Sequence, residues 1–359
     1  MPKQNNKLGK NSRPRVYFRA DSSFDIGIGH IMRCLALSER LAQKGCEVGF
    51  ICRDLAGNIS DVIREQGFSV LMLGAGAGFD QKSDARGVSR LLNRSAIVPE
   101  MLVIDHYAIT CEWEGMLRPF VKKIMVIDDL ADKKHDCDIL LNQDGLDPSL
   151  LERYLPLLPL GAEVIIGPVF ALLRSEFSEM RPFAADRSGE LRKVLVFFGG
   201  IDISNETLKA VKALARAKFS AVKVVVGKTN PNIEKLHRYL AGKPGFELEI
   251  MPGDMASKMR WADLAIGGGG VSLWERCCMG LPSIVTIVAD NQKYISEALG
   301  NSGIIVDLGV KETVTQKDYL TAFNSLSAER LRSMSLKSMA LVDGLGAERV
   351  AESMMMAMC

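Results

Sequence analysis

Short apolar runs recur along the chain, each followed by residues with helical spacing. VYFRA (16–20) precedes a helical pattern over about 30–44, and EVGFIC (47–52) precedes one over about 58–66. FSVLML (68–73), MLVIDHY (101–107), a helical stretch near 110–120 and KIMVIDD (123–129) continue the series. Runs that are apolar throughout fit strands covered on both faces, as in a parallel sheet with helical crossovers. The alternation weakens over about 145–190, where prolines stand at 148, 156, 159, 168 and 182. It restarts with KVLVFFGG (193–200), a helix about 204–217 and AVKVVVG (221–227). ELEIMPG (247–253), a helix about 254–261, ADLAIGGGG (262–270) and a helix about 271–279 follow, then PSIVTIV (282–288) and GIIVDLG (303–309). The expected fold is α/β, with two doubly wound, Rossmann-like domains facing a cleft. The expected division is a disordered tail (1–15), an N-terminal domain (16–170), a linker (171–190), a C-terminal domain (191–340) and a C-terminal helix (341–359). In open α/β sheets ligands bind beyond the carboxyl ends of the strands, so the residues that follow strands carry the chemistry.

A length of 359 residues agrees with two domains. The 47% hydrophobic and 25% charged residues exclude wholesale disorder and fibrous architectures. No apolar run approaches the ~20 residues of a membrane helix. Lys and Arg number 45 against 43 Asp and Glu, a net charge of +2 without a basic stripe. That balance argues against nucleic-acid partners. The eight cysteines form neither a C-x-x-C pair nor a zinc-like series and are expected to be free thiols. Together with seventeen Met and no secretory signal in the first fifteen residues, they point to a cytoplasmic protein. No feature demands an oligomer, so a monomer is expected.

Two motifs stand out. ADSSFDIGIGHIMRCLAL (20–37) reads as strand, Gly-bearing loop and amphipathic helix, with His30 at the helix start. The helix dipole there disfavours imidazolium, and a neutral imidazole accepts a proton from water. His30 is thus a candidate general base, or else a helix cap or phosphate contact. The Gly27–Ile28–Gly29 start of a dinucleotide fingerprint fails at its third glycine, where Met32 stands. WADLAIGGGGVSLWERCCMGLPS (261–283) runs a strand into four glycines and a helix. Successive backbone N–H groups at a helix start form an anion site. Ser272 adds a hydroxyl, and Glu275 is placed to accept from ribose.

Lesser signals follow other strands. Gly199 and Gly200 in VFFGGID are a second candidate phosphate or sugar contact. Asp105, His106 and Tyr107 end a buried strand and either face the cleft or organise a loop. Asn291 and Gln292 are candidate sugar contacts. Asp136–Cys137–Asp138 is literally a metal-binding D-x-D, but its setting reads as a solvated turn.

Taken in order, RADSSFDIGIGHIMRCLALSERL, VIDHYAI, DDLADKKHDCDILLNQ, IGPVFALLRSEF, VFFGGID, WADLAIGGGGVSLWERCCMGLPS and ADNQ resemble one family. It is that of the UDP-2,4-diacetamido-2,4,6-trideoxy-β-L-altropyranose hydrolases of pseudaminic acid biosynthesis. The motifs cover about 19–292. The resemblance implies a GT-B fold similar to MurG-type glycosyltransferases, with UDP held mainly by the C-terminal domain. It implies hydrolysis of a UDP-sugar with inversion, water replacing the acceptor, and no cofactor or metal. His30 looks like the family's catalytic histidine. Substrate contacts are expected from Gly29, Arg33, Tyr107, Gly199, Gly200, Gly268, Gly269, Gly270, Ser272, Glu275, Asn291 and Gln292. The sequence departs modestly at Ile28, where many relatives carry a smaller or polar residue, and at Gly268, where alanine is frequent. A GT-B glycosyltransferase is the alternative reading.

Overall fold

Every apolar run described above becomes a parallel strand. The structure, a computed structural model, describes residues 13–76, 78–94, 98–184, 187, 189–251 and 253–359. Most of the tail expected over 1–15 lies outside the described residues, and the first strand already begins at Arg15.

The first sheet contains β1 (Arg15–Ala20), β2 (Glu47–Arg53), β3 (Ser69–Leu73), β4 (Met101–Asp105), β5 (Lys123–Ile127), β6 (Ile139–Asn142) and β7 (Glu163–Ile166). Its order is β3-β2-β1-β4-β5-β6-β7. The second contains β8 (Lys193–Phe197), β9 (Ala221–Val226), β10 (Phe246–Ile250), β11 (Leu264–Gly268), β12 (Ser283–Ile287) and β13 (Val306–Val310). Its order is β10-β9-β8-β11-β12-β13. Each sheet is packed on both faces by its own apolar clusters, which is why strands such as MLVID and SIVTI carry no polar alternation.

Strands β6 and β7 are missing from the sequence expectation. Each has four residues, too few to display a period, and both lie beside or within the proline-rich stretch. The helix Gln81–Arg94 was also not foreseen, because its polar residues outweigh its one buried stripe of Asp84, Ala85, Val88 and Leu92. The stretch expected as a linker is packed rather than free. Ala171, Leu173 and Phe177 enter the core of the second domain, and Arg181 donates to the carbonyls of Cys278, Met339 and Val342.

The chain ends in two helices, Ala328–Leu341 and Gly346–Met358. The last returns to the first domain, where Ala347, Val350, Ala351 and Met354 join the cluster beneath the Gly29–Gln43 helix. This strap closes the chain around both domains and fixes the helix that carries His30. Truncating fully buried Met354 to Ala should cost about 2–5 kcal/mol, the usual range for removing a buried Met side chain. A urea titration reads the loss; under ~1 kcal/mol would show that the strap contributes little to this core.

Candidate active site

Both sheets reverse their strand order, the first between β1 and β4 and the second between β8 and β11. Loops leaving adjacent strands diverge at such a reversal and open a crevice. The two crevices face each other and merge into one cavity of about 550 Å³. His30, Gly29, Arg33 and Tyr107 line it from the first domain. Gly199, Gly200, Gly268, Gly269, Gly270, Ser272, Glu275, Asn291 and Gln292 line it from the second. Residues singled out from loops far apart in sequence thus meet in one place.

His30 occupies the first turn of the Gly29–Gln43 helix. Its Nδ1 lies 2.6 Å from Asp105 Oδ1, and Asp105 ends β4 next to β1. Burial by itself would raise the Asp105 carboxyl. The Arg33 guanidinium and His30 reverse this and hold it well below the usual carboxylate range. An ionised carboxylate only accepts, so Nδ1 must donate. In neutral His30 the lone pair then resides on Nε2, the ring nitrogen not engaged by Asp105. Arg33 donates Nε to Asp105 Oδ2 at 2.7 Å and Nη2 to Oδ1 at 2.7 Å. Its Nη1 donates to Asp129 Oδ2 at 2.9 Å. Arg33 was expected as a substrate contact; here its side chain is 4% exposed and organises these two acids.

Tyr107 donates to Asp129 Oδ2 at 2.9 Å and packs edge-on to the His30 ring at 4.8 Å. Burial and the Asp129 charge raise its phenol, so it stays a neutral donor. Across the cleft, Asn291 Nδ2 donates to Tyr107 Oη at 2.9 Å. Trp274 Nε1 donates to Asp144 Oδ1 at 2.7 Å, a second bond between the domains.

The glycine wall differs from the sequence picture. Gly267 and Gly268 end β11, and only Gly269 and Gly270 form the turn. A Cβ at Gly267 would collide with the Phe197 carbonyl and Arg276. The Gly269 N–H is already taken by Gln292 Oε1 at 3.0 Å, so the carbonyl end of Gln292 shapes the loop. Glu275 Oε1 accepts from Arg174 at 3.1 Å. Gly200 permits a close approach of the domains, because a Cβ there would strike the Ile28 side chain. Arg276, 2% exposed, lies behind the loop, donating to Gly268 O at 2.6 Å with Nε and Nη1 unpartnered. Burial pulls its guanidinium down to about 10.

Other signals resolve as structure. His106 stacks on Phe79 at 4.4 Å and is not in the cavity lining. Asp136 and Asp138 pair with Arg118, and no cluster of three or more potential metal ligands occurs among the described residues. All eight cysteines are free thiols. Sequence reasoning missed Asp129, Asp144, Arg174 and Arg276. Asp129 and Asp144 follow β5 and β6, so position after a strand was the available signal for both. Nothing in the local sequence marks Arg174 or Arg276.

No protein-family model matches the chain. UDP-2,4-diacetamido-2,4,6-trideoxy-β-L-altropyranose hydrolase from Campylobacter jejuni is 30% identical over 226 residues, 63% of this chain and 74% of that protein. The spore coat polysaccharide biosynthesis protein SpsG of Bacillus subtilis is 29% identical over 189 residues, 51% of this chain and 56% of its own. Among solved structures, Acinetobacter baumannii MurG aligns over 96% of this chain and 100% of its own, with a TM-score of 0.66 and 13% identity. LpCGTa in complex with UDP aligns over 97% and 99%, with a TM-score of 0.64 and 14% identity. At such identities the structural likeness establishes the fold, which is GT-B.

Asp144 gives the site a pH signature. Burial, then the neighbouring Asp129 charge, push its carboxyl up to about 7, although Arg33 and the Trp274 bond oppose the rise. An unfolded Asp titrates near ~4. Between these values the folded chain keeps a proton that the unfolded chain has lost. Stability therefore falls as pH rises from about 4 to 7 and stays reduced above that. Asp144→Asn keeps an oxygen for Trp274 and removes the ionisation. Its thermal midpoint should exceed the wild type's by roughly 3 °C or more at pH 8 and match it near pH 4. Equal midpoints at both pH values would contradict a raised Asp144.

Proposed function

The chain belongs to the family of UDP-2,4-diacetamido-2,4,6-trideoxy-β-L-altropyranose hydrolase, and on that footing we propose that it hydrolyses this UDP-sugar to the free sugar and UDP. The observation that carries the reading is the His30–Asp105 pair, clamped by Arg33 and facing glycine loops across a cleft. Water bound beside His30 loses a proton to Nε2 while its oxygen attacks the anomeric carbon. The bond from that carbon to the phosphate oxygen breaks, and UDP departs with the electron pair. The imidazolium formed is stabilised by Asp105, which keeps its own charge. Attack from the His30 wall, opposite the leaving group, inverts the anomeric centre.

The departing diphosphate gathers charge and needs donors more than a proton. The amides of Leu273, Trp274 and Glu275 already donate to the Gly270 and Val271 carbonyls, which leaves the N–H groups of Gly270, Val271 and Ser272 at the start of the Ser272–Cys278 helix for that task. Arg276 adds positive charge from behind the same loop. Glu275 and Ser272 are the ribose and phosphate partners in this reading, and Asn291 and Tyr107 border the sugar. In this reading the protein acts in pseudaminic acid biosynthesis, in the cytoplasm.

His30→Ala should lower kcat by roughly 10²- to 10⁴-fold, the usual worth of a general base. Asp105→Asn should lower it by about 10²-fold or more, because an Asn N–H facing Nδ1 puts the imidazole proton on Nε2. UDP release from the diacetamido-trideoxy-altrose nucleotide, followed by NMR, reads rate and anomeric configuration together. Turnover that requires an added acceptor would overturn hydrolysis in favour of glycosyl transfer. Retention of configuration would overturn direct attack by water.

A further inference from the structure

Asp129 has no part in the proton transfer above, yet its carboxylate is only half used. Its side chain is 3% exposed. Oδ2 accepts from both Arg33 and Tyr107, whereas Oδ1 is buried without a partner. Buried acceptors are nearly always paired, so an orphan in a cleft wall marks a place for a ligand donor. Asp144 lines the same cavity. Its Oδ1 takes the Trp274 N–H, and it senses the Asp129 charge directly.

We propose that Asp129 and Asp144 form an amide-reading pair, in which Asp129 Oδ1 accepts the N–H of an acetamido group on the sugar and the Asp144 carboxyl donates to its carbonyl. The inference rests on the function proposed above and names the residues that select the sugar. The Asp129 charge repels the diphosphate, which places the pair at the sugar end. A carboxyl near another carboxylate's charge in a site of low polarity keeps its proton to higher pH. Asp144 is the partner that keeps it, because burial and the Asp129 charge raise its carboxyl to about 7. The other groups acting on it are Arg33, from the Gly29–Gln43 helix, and the neutral Trp274 and Gln143. The pair therefore presents one acceptor and one donor at separate atoms. An amide presents the complementary donor and acceptor at separate atoms, whereas a hydroxyl offers both at one atom and a carboxylate substituent offers no donor.

Substitutions at the two positions should behave differently. Asn at 129 can keep its oxygen toward Arg33 and Tyr107, and it then turns an N–H toward the sugar N–H. Asn at 144 keeps an oxygen for Trp274 and supplies a permanent donor. Isothermal titration in a His30→Ala background, which leaves the ligand intact, would compare UDP with the diacetamido-trideoxy-altrose nucleotide. UDP affinity should stay within about twofold in both variants. Sugar-nucleotide affinity should fall roughly 10- to 100-fold with Asp129→Asn, the worth of a hydrogen bond to a charged group. With Asp144→Asn it should hold within about threefold at pH 6 and lose the weakening that the parent shows between pH 6 and 8. Asp129→Asn binding the sugar nucleotide as the parent does, or losing UDP equally, would overturn the pair. So would a parent that gains no affinity from the acetamido sugar over UDP alone. Failure of wild-type hydrolysis, with the binding pattern intact, would overturn the proposed reaction and leave the pair standing.

Discussion

The Asp105 carboxylate is the constraint around which the site is arranged. It is 1% exposed at the end of a central strand, where an unpaired charge would cost several kcal/mol. Arg33 answers it with two bonds. That guanidinium is itself buried and carries a third bond to Asp129. Asp129 in turn takes Tyr107, and Tyr107 takes Asn291 from the other domain. Each group is needed by the one before it. His30 is the point at which this chain of charges meets the cleft, and its ring is oriented by an acid that cannot give up its charge.

The backbone explains why these residues meet. A doubly wound sheet leaves one gap at its carboxyl edge, where neighbouring strands send their loops apart. In the first domain β1 leads to His30 and β4 ends in Asp105, so the gap is filled by the dyad. In the second, β8 and β11 lead into glycine turns and the start of a short helix. One wall is therefore built of polar side chains, and the other largely of backbone. The packed 171–184 segment and the returning C-terminal helix hold the walls in register, and Ile28 against Gly200 sets how closely they approach.

Much of this was legible in the sequence. Apolar runs without alternation gave the two sheets, and glycines directly after strands marked the turns. The D-H-Y triplet was legible only as a loop facing the cleft or organising itself. The structure puts Tyr107 in the cleft wall, buries Asp105 behind it against His30, and turns His106 away, against Phe79. Strands β6 and β7 escaped because four residues show no period. Asp129 and Asp144 escaped because an isolated acid beyond a strand looks like any turn residue until its neighbours are known. The four-glycine run misled in one respect: half of it is strand, and Gly267 there is kept small by the Phe197 carbonyl and Arg276. Arg276 itself reads as an ordinary helix residue, and only the fold shows it enclosed behind the loop.

The reading of the site depends most on the orientation of the His30 ring. Nitrogen-15 NMR of the labelled protein, with the four histidines assigned by substitution, reports the tautomer of each ring. Neutral His30 should carry its proton on Nδ1 and give Nε2 the shift of a bare ring nitrogen. In Asp105→Asn the two nitrogens should exchange those shifts. A wild-type His30 protonated on Nε2, or a tautomer indifferent to Asp105→Asn, would contradict it.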